Sequence, residues 1–279
     1  MSTFINFNGK FLPSDTAILT ADNRGFRYGD GLFETMRVVG DRLYLSNHHF
    51  ERLLAGSHLL QLAPLPFLTP ERLTEQVLEL CKLNGHANLA RVRLVVFRGE
   101  GSLSDPVDPF PHYIIQSWPL SVENSKLNEK GLTLGLFPDG RKACDSFANL
   151  KSNNYLLYAQ AALYARGQGL DDALVLNSHE RIADSTIANL FYINQGIIYT
   201  PPLTEGGVAG VMRRTLLETL PMAGFPVQEK TTTPEDLERA EEVFLTNALK
   251  GIKWVGSFGA STYECRLIPA LHRELSKIV

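Results

Sequence analysis

Cysteine is scarce in this chain: Cys81, Cys144 and Cys265 are the only three among 279 residues, and they lie far apart. That excludes a disulfide framework or a CxxC metal site and fits a reducing, cytoplasmic setting. An excess of either charge is also missing, with 27 Lys plus Arg against 30 Asp plus Glu and a formal charge of -3. A general nucleic-acid binder needs a surplus of basic residues, so nucleic acid is not an expected partner. No apolar run approaches the roughly 18 residues of a membrane span, and the opening M-S-T-F-I-N-F-N-G-K has no basic-then-apolar leader pattern. The expectation is a soluble protein with no membrane partner. Several motifs are absent as well. There is no G-x-x-x-x-G-K-[ST] loop, no G-x-S-x-G elbow and no HExxH, and Gly25, Gly29 and Gly31 do not have G-x-G-x-x-G spacing. His48 and His49 therefore read as helix-start residues, and no metal site is expected.

What the chain does have is 44% hydrophobic residues and enough length for one large domain or two ordinary ones. Asn8-Gly9 between F-I-N-F and K-F-L-P predicts a hairpin with a type I′ turn. A helix is expected from near Asn47, with Phe50, Leu53, Leu54 and Leu60 on its apolar face. A second is expected from Thr69-Pro70-Glu71, an N-cap followed by proline at the first helical position, to Asn84-Gly85. Segments 89–98 and 112–118 read as strands, giving an N-terminal α+β domain over 1–118. The polar stretch P-L-S-V-E-N-S-K-L-N-E-K-G, 119–131, reads as a linker. Over 132–279 strands are expected at 132–137, 172–177, 188–193, 196–200, 226–230 and 242–246, with helices near 152–166, 210–220 and 266–278. Strands and helices do not alternate regularly there, which predicts an α+β or barrel-like domain and not a doubly wound sheet.

Four segments could carry chemistry. Lys151 in A-N-L-K-S-N-N-Y-L-L would by itself be a surface lysine, but Ser152, Asn153, Asn154 and Tyr155 surround it with polar neighbours at the start of an expected helix. A partly buried lysine loses its charge more readily and becomes a nucleophile toward a carbonyl. Asp184, in R-I-A-D-S-T-I-A-N-L-F, is either a turn aspartate or the partner of a protonated ring nitrogen. E-G-G-V-A-G-V-M-R-R, 205–214, is a flexible turn or a helix start whose free N–H groups suit phosphate. Thr246-Asn247-Ala248, after an apolar strand, caps the strand end or binds an anion. Arg52, in S-N-H-H-F-E-R-L-L, could be a solvated helical arginine.

Taken in order from D-N-R-G-F-R-Y-G-D-G-L-F-E-T-M-R to the N-A-L segment, these motifs resemble the class IV aminotransferase superfamily, the fold-type IV pyridoxal-phosphate enzymes. The resemblance covers nearly the whole chain. It implies a two-domain α+β fold, with a smaller N-terminal α/β sandwich and a larger C-terminal barrel-like domain. It also implies pyridoxal 5'-phosphate as cofactor, a small-molecule amine as substrate and a homodimer. By the same resemblance Lys151 carries the cofactor as a Schiff base and acts as the catalytic base, and Arg52 holds the phosphate with Val211, Met212 and Asn247. Tyr155 reaches the phenolic oxygen and Asp184 the ring nitrogen, while Tyr28, Arg37 and Ala248 face substrate. Asp184 departs from the family's usual glutamate by one methylene of reach. The N-A-L segment is similar to 4-amino-4-deoxychorismate lyases, which serve folate biosynthesis; the K-x-x-N spacing of Lys151 and Asn154 suits them too but is shared by D-amino-acid aminotransferases. F-E-T-M-R is closer to branched-chain and D-amino-acid aminotransferases. The lyase is the expected activity, an amino-acid aminotransferase the alternative, and a non-catalytic binding module on the same fold the remote one.

Overall fold

The structure is a computed structural model and describes residues 3–63, 69–105 and 109–278. Its contacts divide the chain into two units. The first holds Met1–Val122 with Lys151–Tyr155, and the second holds Glu123–Leu150 with Leu156–Val279.

The first unit is an antiparallel sheet with helices. Strands β1 (Phe4–Phe7) and β2 (Lys10–Pro13) form the hairpin expected around Asn8-Gly9. Both turn residues have positive φ, 51° and 84°, which is the conformation a type I′ turn requires. After the short helix α1 (Arg24–Tyr28) come β3 (Gly31–Val39) and β4 (Arg42–Leu43), then α2 (Ser46–Leu59) and α3 (Pro70–Leu83). Strands β5 (Leu89–Arg98) and β6 (Pro111–Pro119) complete a sheet of order β2-β1-β6-β5-β3-β4. Thr69 caps α3 by accepting from the Arg72 N–H at 3.3 Å. Leu73, Val77, Leu80 and Cys81, spaced to share one helix face, are buried.

The second unit is built on a nine-stranded, curled mixed sheet. In chain order it contains β7 (Leu132–Lys142), α4 (Leu156–Gly167), β8 (Asp172–Asn177), β9 (Ile182–Ser185), β10 (Asn189–Asn194) and β11 (Ile197–Thr200). It continues with α5 (Val211–Thr219), β12 (Val227–Glu229), α6 (Pro234–Glu238), β13 (Glu242–Asn247), β14 (Gly251–Phe258), β15 (Ser261–Thr262) and α7 (Ile268–Ile278). The sheet order is β12-β11-β10-β13-β14-β7-β8-β9, with β15 on β14. Leu134, Leu174, Ile182, Leu190, Val243, Leu245 and Val255 fill its core. No helix among the described residues is long and apolar enough to cross a membrane.

Two differences from the sequence expectations matter for the site. The helix expected from residue 152 starts at Leu156, because 152–155 are held in other bonds. Ser152 bridges Leu32, the Phe33 N–H donates to the Lys151 carbonyl at 2.9 Å, and the Asn153 N–H donates to the Gly31 carbonyl at 2.9 Å. Residues 151–155 thus sit with the first unit, although the chain on either side of them belongs to the second. Strands β9 and β14 were not expected. The first is only four residues long, and in the second Lys253 and Gly256 break up the apolar pattern.

Candidate active site

In the first unit, Lys151 lies beside two aromatic rings. Its Nζ is 4.5 Å from the centroid of Phe33 and 5.5 Å from that of Tyr155, and the two rings meet edge to face at 5.3 Å. Tyr155 is therefore near Lys151 as expected, although no helical turn connects them. Arg93 stacks on the same Phe33 ring, with its guanidinium carbon 3.9 Å from the centroid. Burial, and then the charge of Arg91, lowers the pKa of Arg93. No carboxylate among the described residues forms an ion pair with it. Phe33 and Arg93 were not singled out from sequence. The only hint was the alternation of R-V-R-L-V-V, which puts Arg91, Arg93 and Val95 on one face of β5.

Arg52, on α2, is gripped side-on by Glu34 of β3. Its Nε donates to Oε1 at 2.8 Å and its Nη2 to Oε2 at 2.5 Å. His49, one helical turn before Arg52, lies with Nδ1 2.6 Å from the same Oε2. The side chain of Glu34 is 1% exposed, that of His49 0% and that of Arg52 15%. Burial alone would raise the Glu34 pKa, but the charge of Arg52 and the hydrogen bonds from His49 and Arg52 outweigh it and hold the carboxyl at about 2. With Glu34 ionised, His49 Nδ1 carries the hydrogen. Burial keeps the imidazole neutral below its usual range, and Arg52 and Lys151 push the same way. Its Nε2 is buried without a hydrogen-bond partner. Arg37 is 4% exposed and stacks on Tyr44 at 4.4 Å, and Tyr28 is 37% exposed, with Arg24 and Arg27 over its ring at 5.4 Å each.

In the second unit, Asp184 lies on β9 opposite Val175 and is 2% exposed. The Tyr158 hydroxyl bridges its two oxygens at 2.9 and 3.0 Å, and the Val208 N–H donates to Oδ2 at 2.9 Å. Lys142 stands over the Tyr158 ring at 5.4 Å, and its pKa is lowered by burial against the pull of Asp184. Sequence reading missed Tyr158. It is the second tyrosine of Y-L-L-Y, and only the late start of α4 shows which of the two meets Asp184.

The glycine-rich segment is not a flexible turn. Asn149 donates to the carbonyls of Leu203 and Gly207, and Asn189 to that of Val208. Gly206 has φ 88°, and a Cβ there would lie 2.3 Å from the Ala143 carbonyl oxygen. At Gly210 a Cβ would be 1.8 Å from Asn189 Oδ1. Only glycine fits either place. The loop leads into α5, whose N-cap Gly210 offers no side-chain cap and whose first residues, Val211 and Met212, are 3% and 2% exposed. Such a helix start presents N–H groups with partial positive charge.

Asn247 is placed differently. Its Oδ1 accepts from the N–H groups of Leu249 and Lys250 at 3.0 and 2.9 Å, capping the turn that holds Ala248. It also lines a cavity of about 370 Å³ with Leu245, Lys250 and Lys253, whose wall does not include Asp184, Val211 or Met212.

Comparison with known proteins gives a consistent result. Residues 31–258 match the family model described as Amino-transferase class IV. An aminodeoxychorismate lyase of Vibrio harveyi is 30% identical over 240 residues, covering 85% of this chain and 86% of that protein. A D-alanine aminotransferase of Staphylococcus haemolyticus is 27% identical, covering 88% and 85%. The crystal structure of a branched-chain aminotransferase from Thermoproteus uzoniensis superposes with a TM-score of 0.88 at 24% identity, covering 99% of this chain and 94% of that one.

Proposed function

The chain belongs to the class IV aminotransferases, enzymes that use pyridoxal phosphate, and from that premise we propose that it is a 4-amino-4-deoxychorismate lyase. The residues present fit the cofactor. Asp184 is a buried carboxylate bonded to neutral donors, α5 has an uncapped N-terminus, and Lys151 lies against aromatic faces. When bound, pyridoxal phosphate supplies an aldehyde that condenses with amines and a ring that absorbs electron density.

In this reading Lys151 Nζ would hold the cofactor, and as a free amine it would take the proton from the substrate carbon that bears the amino group. Asp184 would meet a pyridine nitrogen, and Tyr158 and Val208 fix its direction. Arg52 and the N–H groups of Val211 and Met212 hold the phosphate. Tyr155 serves the phenolic oxygen, and Asn247, Ala248, Tyr28 and Arg37 complete the cofactor and substrate surroundings.

The observation that carries an anionic substrate is Arg93, a half-buried guanidinium on the same Phe33 ring as Lys151. It would receive a substrate carboxylate bidentately. Aminodeoxychorismate carries carboxylates on its ring and on its enolpyruvyl group, and the N-A-L segment adds the likeness to lyases. The test is incubation with aminodeoxychorismate. Release of pyruvate and 4-aminobenzoate in equal amounts is expected. Amino transfer to 2-oxoglutarate without 4-aminobenzoate would establish the second reading, an amino-acid aminotransferase, which the similarity to the Staphylococcus haemolyticus enzyme favours. The chain would work as a homodimer. Phe26 and Leu103, 77% and 74% exposed, are apolar surface suited to a second copy, and a monomer in solution scattering would contradict this.

A further inference from the structure

We infer that Glu34 and His49 are positioning residues that aim Arg52 at the phosphate of the cofactor. The inference rests on the reading that Arg52 binds that phosphate.

Its first support is geometric. A guanidinium has a side edge, made by Nε and Nη2, and an end edge, made by Nη1 and Nη2. Glu34 takes the side edge with both oxygens. A long arginine side chain otherwise samples many rotamers, and a bidentate clamp on one edge fixes the direction of the other. Glu34 is itself fixed, since it lies in the middle of β3, paired to Leu94 of β5, and Oε2 also receives the hydrogen of His49. The order of the sequence supports the arrangement. His49 and Arg52 are three residues apart, so both project from one face of α2 toward β3.

The second support is electrostatic. Glu34 cancels the charge of Arg52, and a neutral His49 adds none, so the cluster is close to neutral overall. A buried carboxylate beside a phosphate site would be a liability if net charge were what mattered. The arrangement is reasonable only if Arg52 acts through directed donors, for which orientation outweighs charge. The two possibilities predict opposite signs. If Glu34 were only a counter-charge, removing its charge would tighten phosphate binding. If it is a positioning group, removing it weakens phosphate binding.

The experiment measures dissociation constants of pyridoxal 5'-phosphate and of pyridoxal, which lacks the phosphate, on the full-length chain by visible absorption. It uses the parent protein and the Arg52→Lys, Glu34→Gln, Glu34→Asp and His49→Leu variants. The expected result is that Arg52→Lys and Glu34→Gln each weaken the phosphorylated cofactor at least about tenfold while pyridoxal stays within about twofold. Glu34→Asp and His49→Leu should shift the ratio in the same direction by less. If Arg52→Lys leaves the ratio unchanged, Arg52 is not the phosphate ligand and the inference falls with that reading. If Arg52→Lys moves the ratio but Glu34→Gln leaves it unchanged or tightens the phosphorylated form, the positioning role is overturned and the Arg52 reading stands. Equal weakening of both cofactors by Glu34→Gln would make it a structural residue only and would also overturn the inference. Should Glu34→Gln fail to fold, Glu34→Asp and His49→Leu decide by the same ratio.

Discussion

Each unit of this protein buries one carboxylate among its candidate site residues, and the two are treated in opposite ways. Glu34, in the first unit, is bonded to an arginine and a histidine, so its charge is neutralised within that unit. Asp184, in the second, accepts from a tyrosine hydroxyl and a backbone N–H, both neutral, and the cation near it, Lys142, has its pKa lowered by burial. Burial of a charge is costly unless it is paired or well hydrogen-bonded. Glu34 meets that requirement with a guanidinium and a neutral imidazole and becomes part of the framework. Asp184 meets it with a tyrosine hydroxyl and a backbone N–H as directed donors.

The contrast can be tested from both sides. The largest effect is expected at Asp184. Asp184→Asn nearly keeps the shape and removes the charge, and should lower turnover about a thousandfold, roughly 4 kcal/mol in the activation barrier. Turnover within tenfold of the parent would mean that the charge is not used. Next is Glu34→Ala, which leaves Arg52 without its carboxylate and should cost about 3 kcal/mol of unfolding free energy in urea titrations.

The same cluster sets a pH dependence. His49 is held below its ordinary 6.5 in the folded state, so the unfolded chain takes up that proton first and stability begins to fall below about pH 6.5. Glu34 is held at about 2 against an ordinary 4.5, so its contribution is present above about 4.5 and is lost as pH falls through that window to about 2. Unfolding free energy measured against pH should show both phases, and Glu34→Gln should remove the lower one. An unchanged profile in that variant would count against the ion-paired description of Glu34. The smallest effect is expected for Tyr158→Phe, which removes one hydrogen bond to Asp184 at a cost of about 1 to 2 kcal/mol in stability. Because Val208 still donates, turnover should fall far less than in Asp184→Asn.

Much of this was legible in the chain because it depends on local chemistry. Asn8-Gly9 specifies its hairpin through positive φ, and Thr69-Pro70 starts α3 because the cap and the fixed proline φ act within one turn. The motif order from Y-G-D-G-L-F-E to N-A-L identifies the family. The site was less legible. Lys151 and Tyr155 looked like neighbours on a helix, yet their proximity comes from an extended segment tied to β3. Tyr158 was passed over because only the start of α4 turns it toward Asp184. Glu34 and His49 drew no attention as partners of Arg52, since 15 residues separate Glu34 from His49 and nothing in the spacing joins them. For Asn247 the sequence left a strand-end cap and an anion ligand both open, and in the structure its oxygen caps its own turn.

The sequence by itself therefore determined the class of the protein, its turns and caps, most of its strands and helices, and the residue types available for chemistry. These depend on backbone preferences and on contacts a few residues apart. Only the tertiary structure decided which buried carboxylate is bonded to an arginine and a histidine and which to a tyrosine hydroxyl and a backbone N–H, and which unit holds Lys151. Those outcomes depend on strand register and on side chains brought together from distant parts of the chain, and the energy of an ion in a protein interior is set by such neighbours.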